Sequence, residues 1–212
     1  PHIKFLQLIL CPTKQMKTRY CPNCLKATVA CYCDQITILN NQIEVIILQH
    51  PSEVSHPLGT AQIAKLSFKN LTVLIGEDFS KDNLLNDILS KKECYLLFPG
   101  KKSTQVSTLN LSLDKTVLIV LDGTWKKAKK IYYSSSNLQN LDHITLEDTV
   151  KSEYILRKEP KQGYLSTLEA IVFSLEKLEK KSYSKPIEVL RSIQSFQIKK
   201  MGDEKFKKYY KK

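Results

Sequence analysis

Leu118 to Lys130 reads LIVLDGTWKKAKK. The run that leads into it, Thr116 to Leu121 (TVLIVL), is apolar and β-branched and too short for a buried helix. It is expected to be a strand covered on both faces, as in a parallel sheet. Asp122 then stands at the strand's carboxyl end, and Gly123 frees the backbone to turn. Thr124 is placed to cap a helix over residues 124–134. That helix opens with Trp125, the chain's one tryptophan, and carries Lys126, Lys127, Lys129 and Lys130. Spacing alone is equally compatible with an ordinary strand–turn–helix junction in which Asp122 or Thr124 is only a cap.

The same pattern recurs on either side. Gln42–Gln49 (QIEVIILQ), Leu71–Ile75 and Cys94–Phe98 (CYLLF) read as further strands. Helices are expected at Gly59–Phe68, at Ser80–Ser90 with Ser80 as its cap, and at Tyr164–Leu178; a last one starts at Pro186. Glu153–Leu156 reads as one more short extended piece. Strands without polar alternation, interleaved with helices, define an α/β fold: a mostly parallel sheet with helices on both faces. Ligands of such sheets bind at the carboxyl ends of the strands. Gly76, Gly100 and Gly123 each follow a strand there, as a ligand-binding rim or as simple turns.

The 212 residues suffice for one α/β domain and a small appendage, and 42% of them are hydrophobic. No apolar run approaches the roughly 20 residues of a membrane-spanning helix. Pro1–Ile9 lacks the layout of a signal peptide. A soluble, cytoplasmic protein is expected. Lys and Arg outnumber the acids 33 to 21, a net charge of +12, which favours a polyanionic partner or reflects a lysine-rich solvated surface. The basic residues cluster in the Lys126–Lys130 stretch and in residues 199–212, which hold seven lysines.

Four of the six cysteines, Cys21, Cys24, Cys31 and Cys33, lie within thirteen residues in a C-x2-C-x6-C-x-C pattern; Cys11 and Cys94 stand apart. Without a secretory signal, this compact set is expected to hold one structural Zn²⁺ with no open coordination position. Plain reduced thiols or an iron–sulfur cluster are the other readings. The chain has no G-x-G, which counts against a Rossmann dinucleotide or adenosyl site built on a glycine-rich loop; it also lacks a P-loop and H-E-x-x-H.

Two more segments carry chemistry-bearing residues. Leu48–Thr60 (LQHPSEVSHPLGT) ends a strand in polar residues and projects His50 and Glu53. Leu156–Ala170 (LRKEPKQGYLSTLEA) contains Ser166 and Glu169 at capping-box spacing. A helix N-terminus facing the strand ends is also suited to an anion such as an amino-acid carboxylate.

Together these motifs resemble the DTW-domain family. The resemblance rests on D-x-T-W (Asp122, Thr124, Trp125), on HP-x-E (His50, Pro51, Glu53), on the FPG turn Phe98–Gly100, on RKEP…LSTLEA and on the cysteine-rich start. It covers roughly residues 19–200 and excludes the basic C-terminal end.

The resemblance implies a SPOUT-like domain with a C-terminal trefoil knot over residues 41–198. A cysteine-rich zinc segment at 1–40 precedes it and a basic tail at 199–212 follows. It also implies tRNA-uridine aminocarboxypropyl transfer from S-adenosylmethionine to uridine N3. The cofactor residues it implies are Leu97, Phe98, Pro99 and Gly100; Leu121, Asp122, Gly123, Thr124 and Trp125; and Tyr164, Leu165, Ser166, Thr167 and Glu169. Asp122 is expected as the base, or as a ligand of the sulfonium or the donor amine. Trp125 walls the adenosyl pocket or stacks on a base. His50, Glu53, Lys126, Lys127, Lys129, Arg157 and Lys158 are expected on the tRNA side. Monomer and homodimer both remain open. A SPOUT-type RNA methyltransferase and a non-catalytic zinc-containing RNA-binding module are the alternatives.

Overall fold

The structure is a computed structural model that describes residues 19–56, 58–100, 102–156 and 165–210. Six strands form one sheet: β1 (Glu44–Gln49), β2 (Leu71–Ile75), β3 (Glu93–Leu97), β4 (Thr104–Gln105), β5 (Thr116–Asp122) and β6 (Asp142–Thr145). Their order is β2-β1-β5-β3-β6-β4, and every pairing is parallel. β5 lies at the centre and is buried along its whole length, as its unbroken apolar sequence requires.

Alternate side chains of the central strands feed two cores. Val45, Ile47, Leu118 and Val120 face one side, where they meet helices α1 (Ala61–Ser67), α4 (Thr167–Glu179) and α5 (Lys185–Met201). Ile46, Leu48, Val117, Ile119 and Leu121 face the other, covered by α2 (Asn83–Lys91) and α3 (Trp125–Ser134). Helices therefore cover both faces, as the sequence predicts. Among the described residues no helix is long and apolar enough to cross a membrane.

Several boundaries differ from the sequence reading. The cap of α2 is Asp82, not Ser80: Asp82 Oδ1 accepts from Leu85 N at 2.8 Å, while Ser80 N is taken by Asp78 in the preceding turn. Glu153–Leu156 is not a strand, because its amides bond side chains: Glu153 N donates to Glu169 and Ile155 N to Gln194. The sheet is completed instead by β6, whose sequence DHIT buries only Ile144, and by the exposed two-residue β4. The basic C-terminal end is helical. α5 runs through Lys199 and Lys200 to Met201, and α6 (Asp203–Tyr210) stacks Phe206 on Tyr210 against the core.

The described part of the cysteine segment packs directly on the sheet domain. Cys21, Cys24, Tyr32 and Cys33 are buried in the same core as α1, α4 and α5.

Candidate active site and metal centre

The carboxyl end of β5 meets the carboxyl end of β1, where Gln49 is in register with Asp122. Gln49 Nε2 donates to Asp122 Oδ2 at 2.7 Å. Thr167, the first residue of α4, donates through Oγ1 to Asp122 Oδ1 at 2.5 Å. Asp122 is only 6% exposed, so the apolar strand delivers a carboxylate that two polar side chains hold in a fixed orientation.

Beside it opens a cavity of about 240 Å³, lined by Glu53, His56, Leu58, Gly59, Thr60, Asp122, Gly123, Thr124, Lys127, Tyr154 and Thr167. Its walls are tied together. Tyr154 OH donates to Leu58 O at 2.7 Å, and Thr60 Oγ1 accepts from Leu168 N at 3.3 Å. Thr124 caps α3, accepting from Lys127 N. Gly123 is required by close approach, since a Cβ there would lie 2.9 Å from Lys127 Cβ.

Lys127 turns into this cavity. Its Nζ lies 2.7 Å from Glu53 Oε1, and the Glu53 side chain is only 11% exposed. Its neighbours behave differently. Lys126 and Lys129 are exposed, and Lys130 pairs with Glu77, whose other oxygen meets His50 Nε2 at 2.7 Å. His50 Nδ1 accepts from Ser52 N, which leaves the Nε2 hydrogen for Glu77. The Lys130 hydrogen bond, helped by His50, holds the Glu77 carboxyl below the usual carboxylate range.

The residues singled out in the sequence thus fall into groups. Asp122, Gly123, Thr124 and Thr167 line the cavity with Glu53 and Lys127. Phe98 and Trp125 belong instead to an aromatic cluster: Phe98 stacks on Tyr132 with centroids 4.7 Å apart and meets Trp125 at 6.0 Å and His143 at 6.2 Å. Leu97 ends β3, Pro99 and Gly100 are exposed, and a Cβ on Gly100 would strike His143 Nδ1 at 2.6 Å. Leu121 is buried in the sheet and Leu165 half-buried ahead of α4.

Ser166 and Glu169 form the expected capping box. The Glu169 carboxylate also accepts from Ser152 Oγ and Glu153 N, so it anchors the segment that carries Tyr154. Tyr164, Arg157 and Lys158 lie outside the described residues. Gln49, Thr60, His56 and Tyr154 were missed by the sequence reading. Only Gln49, a polar residue ending an apolar strand, offered a signal.

Cys21, Cys24, Cys31 and Cys33 bring their four Sγ atoms within 4.8 Å of one another. Cys21 and Cys33 are 3.6 Å apart, Cys24 and Cys31 3.7 Å. A tetrahedron with Zn–S bonds of about 2.3 Å has edges of about 3.8 Å, so the thiols already outline one. The Cys21–Cys24 turn is closed by Cys21 N to Lys26 O and by Leu25 N to Cys21 O, with Leu25 in the left-handed region at φ 60°. Burial, then the neighbouring Cys21 thiol, pushes the Cys33 thiol up. Burial, the largest single effect, also opposes ionisation of Cys21, but the amides of Cys24 and Asn23 and the side chains of Cys31 and Cys33 together outweigh it and lower its thiol to about 7. Four thiolates this close need a cation, and the donor set fits a closed, structural metal site.

The fold is a parallel α/β sheet with a polar cavity at its strand ends and an appended cluster of four cysteines able to hold a metal ion. The DTW domain matches residues 18–201, and the chain belongs to that family. It is 29% identical over 198 residues to tRNA-uridine aminocarboxypropyltransferase 2 of Macaca fascicularis, covering 88% of this chain and 66% of the relative. Against the Drosophila melanogaster protein of the same name it is 32% identical over 166 residues, 75% of this chain and 66% of the relative. With tRNA-uridine aminocarboxypropyltransferase A of Arabidopsis thaliana it shares 27% over 217 residues, 86% of this chain and 82% of the relative. The chain thus spans just under two thirds of the length of the macaque and fly relatives. No solved structure matches it.

Proposed function

We propose that this chain is a tRNA-uridine aminocarboxypropyltransferase using S-adenosylmethionine as donor. The observation that carries the reading is the buried Asp122, held by Gln49 and Thr167 at the wall of a charged cavity, in a chain whose named relatives are such transferases. The donor supplies an electrophilic γ-carbon bonded to a sulfonium. Uridine N3 forms a bond to that carbon, the carbon–sulfur bond breaks with its electron pair going to sulfur, and methylthioadenosine leaves. Asp122 takes the N3 proton, and its fixed orientation lets it act without reorganising.

Phe98 and Trp125, in tilted contact just past the ends of β3 and β5, are assigned to the adenosyl side. The exposed Lys126 and Lys129 are assigned to tRNA phosphates, in keeping with the +12 charge. A SPOUT-like, knotted domain belongs to the same proposal. Its support is the all-parallel sheet in which β5 returns between β1 and β3. The four cysteines would hold a structural zinc that keeps the N-terminal segment on the core.

The test is incubation of the purified chain with unmodified tRNA and S-adenosylmethionine, followed by nucleoside and small-molecule mass spectrometry. Aminocarboxypropyluridine with methylthioadenosine is the expected result. S-adenosylhomocysteine with a methylated nucleoside would make the chain a methyltransferase. No product and no donor binding would leave a zinc-containing RNA-binding module.

A further inference from the structure

The Lys127–Glu53 ion pair sits inside the cavity rather than on the surface, beside a second carboxylate, Asp122. Surface pairs contribute little, and a partly buried pair sacrifices hydration for its contact. α3 carries three other lysines, Lys126, Lys129 and Lys130; the first two point to solvent and the third pairs with Glu77 outside the cavity. Lys127 alone is drawn inward, and two features direct it there. Thr124 Oγ1 holds its amide at the start of α3, and Gly123 leaves the room its Cβ occupies.

We infer that Lys127 and Glu53 form a clamp for the zwitterionic α-amino-acid end of the donor, Lys127 receiving the α-carboxylate and Glu53 the α-ammonium. The inference rests on the donor assignment made above and gives a role to a lysine expected from sequence to meet tRNA. A uracil ring can hydrogen-bond either member through a carbonyl or its N3–H, but it carries no charge and so replaces neither charge of the pair. A phosphate would satisfy Lys127 but would be repelled by Glu53 and Asp122. A group bearing opposite charges on one carbon exchanges with the pair in full. Each charge trades one partner for another, so the cavity stays neutralised when the pair opens. Fixing that end of the donor fixes the γ-carbon two atoms beyond its α-carbon, next to Asp122.

The experiment compares two ligands that differ by this group. S-adenosylmethionine carries the aminocarboxypropyl chain and methylthioadenosine lacks it. Calorimetric titration of both is performed on the wild-type chain, on Lys127→Met and on Glu53→Gln. Each variant is expected to weaken S-adenosylmethionine binding by about tenfold or more, as for loss of one charge-assisted contact, and to change methylthioadenosine binding less than about twofold. Retained methylthioadenosine binding also reports that each variant is folded. Equal losses for both ligands, or unchanged S-adenosylmethionine binding in both variants, overturns the clamp and leaves the donor assignment intact. A wild-type chain that binds neither ligand overturns the donor assignment and the clamp with it.

Discussion

Glu169→Ala tests the link between the start of α4 and the cavity wall. The Glu169 carboxylate is fully buried. It accepts from Ser166 N at 2.7 Å, from Glu153 N at 2.6 Å and from Ser152 Oγ at 3.0 Å. Alanine removes every acceptor at once and leaves two amides in or near the interior without a partner. An orphaned buried donor costs about 1–3 kcal/mol, and charge-assisted bonds lie at the upper end of that range. The variant is therefore expected to lose about 3–5 kcal/mol, a fifth or more of a typical domain stability of about 5–15 kcal/mol. Glu169→Gln keeps one acceptor oxygen and should lose roughly half as much. Urea unfolding measures the loss, with an unchanged m-value showing that the same surface is exposed. Hydrogen exchange at Glu153 N reads the local effect, since that amide should become unprotected before the core opens. A Glu169→Ala variant within about 1 kcal/mol of wild type, with Glu153 N still protected, would refute the reasoning.

Asp122→Asn should reduce aminocarboxypropyl transfer by roughly 10²-fold or more, while donor affinity measured by calorimetry stays within about tenfold; a variant that transfers at the parent rate removes Asp122 from the chemistry. Elemental analysis should find about one zinc per chain, lost in a Cys21→Ser, Cys24→Ser double variant whose thermal midpoint falls; a fully folded, metal-free wild type contradicts the site. Replacing Lys126 and Lys129 by alanine should weaken tRNA binding and make the slope of log K against log salt shallower by about 2; binding unchanged at every salt concentration shows these lysines to be solvated surface only.

The sheet's central strands were legible because they are buried on both faces and carry an unbroken apolar signal. Central β5 emerges from the sequence with nearly the bounds it has in the structure, and the edge strand β2, only half-buried, was legible from its apolar run LTVLI. β6 was not legible: Asp142, His143 and Thr145 give it no apolar run, and its pairing with β3 and β4 makes it a strand. At the site, Asp122 and Thr167 stood in motifs whose local grammar, a strand end and a helix cap, could be read along the chain. Thr60 and Tyr154 belong to the same cavity only through tertiary contacts, Thr60 with Leu168 and Tyr154 with Leu58. The direction of Lys127 was equally invisible, since four lysines in five residues look alike until Glu53 selects one of them.

The two hydrogen bonds on Asp122 span 73 and 45 residues of chain. Closing such loops raises the entropic cost only slowly with length, by about 0.6 kcal/mol per doubling, so the finished protein is barely penalised. The burden falls on speed, because parallel pairing offers no nearby contact that forms first. A chain emerging from the ribosome holds Gln49 and Asp122 long before Thr167 exists. No fragment ending short of α4 can carry the complete carboxylate site, so the residues made after position 166 decide whether Asp122 is held as the folded chain holds it.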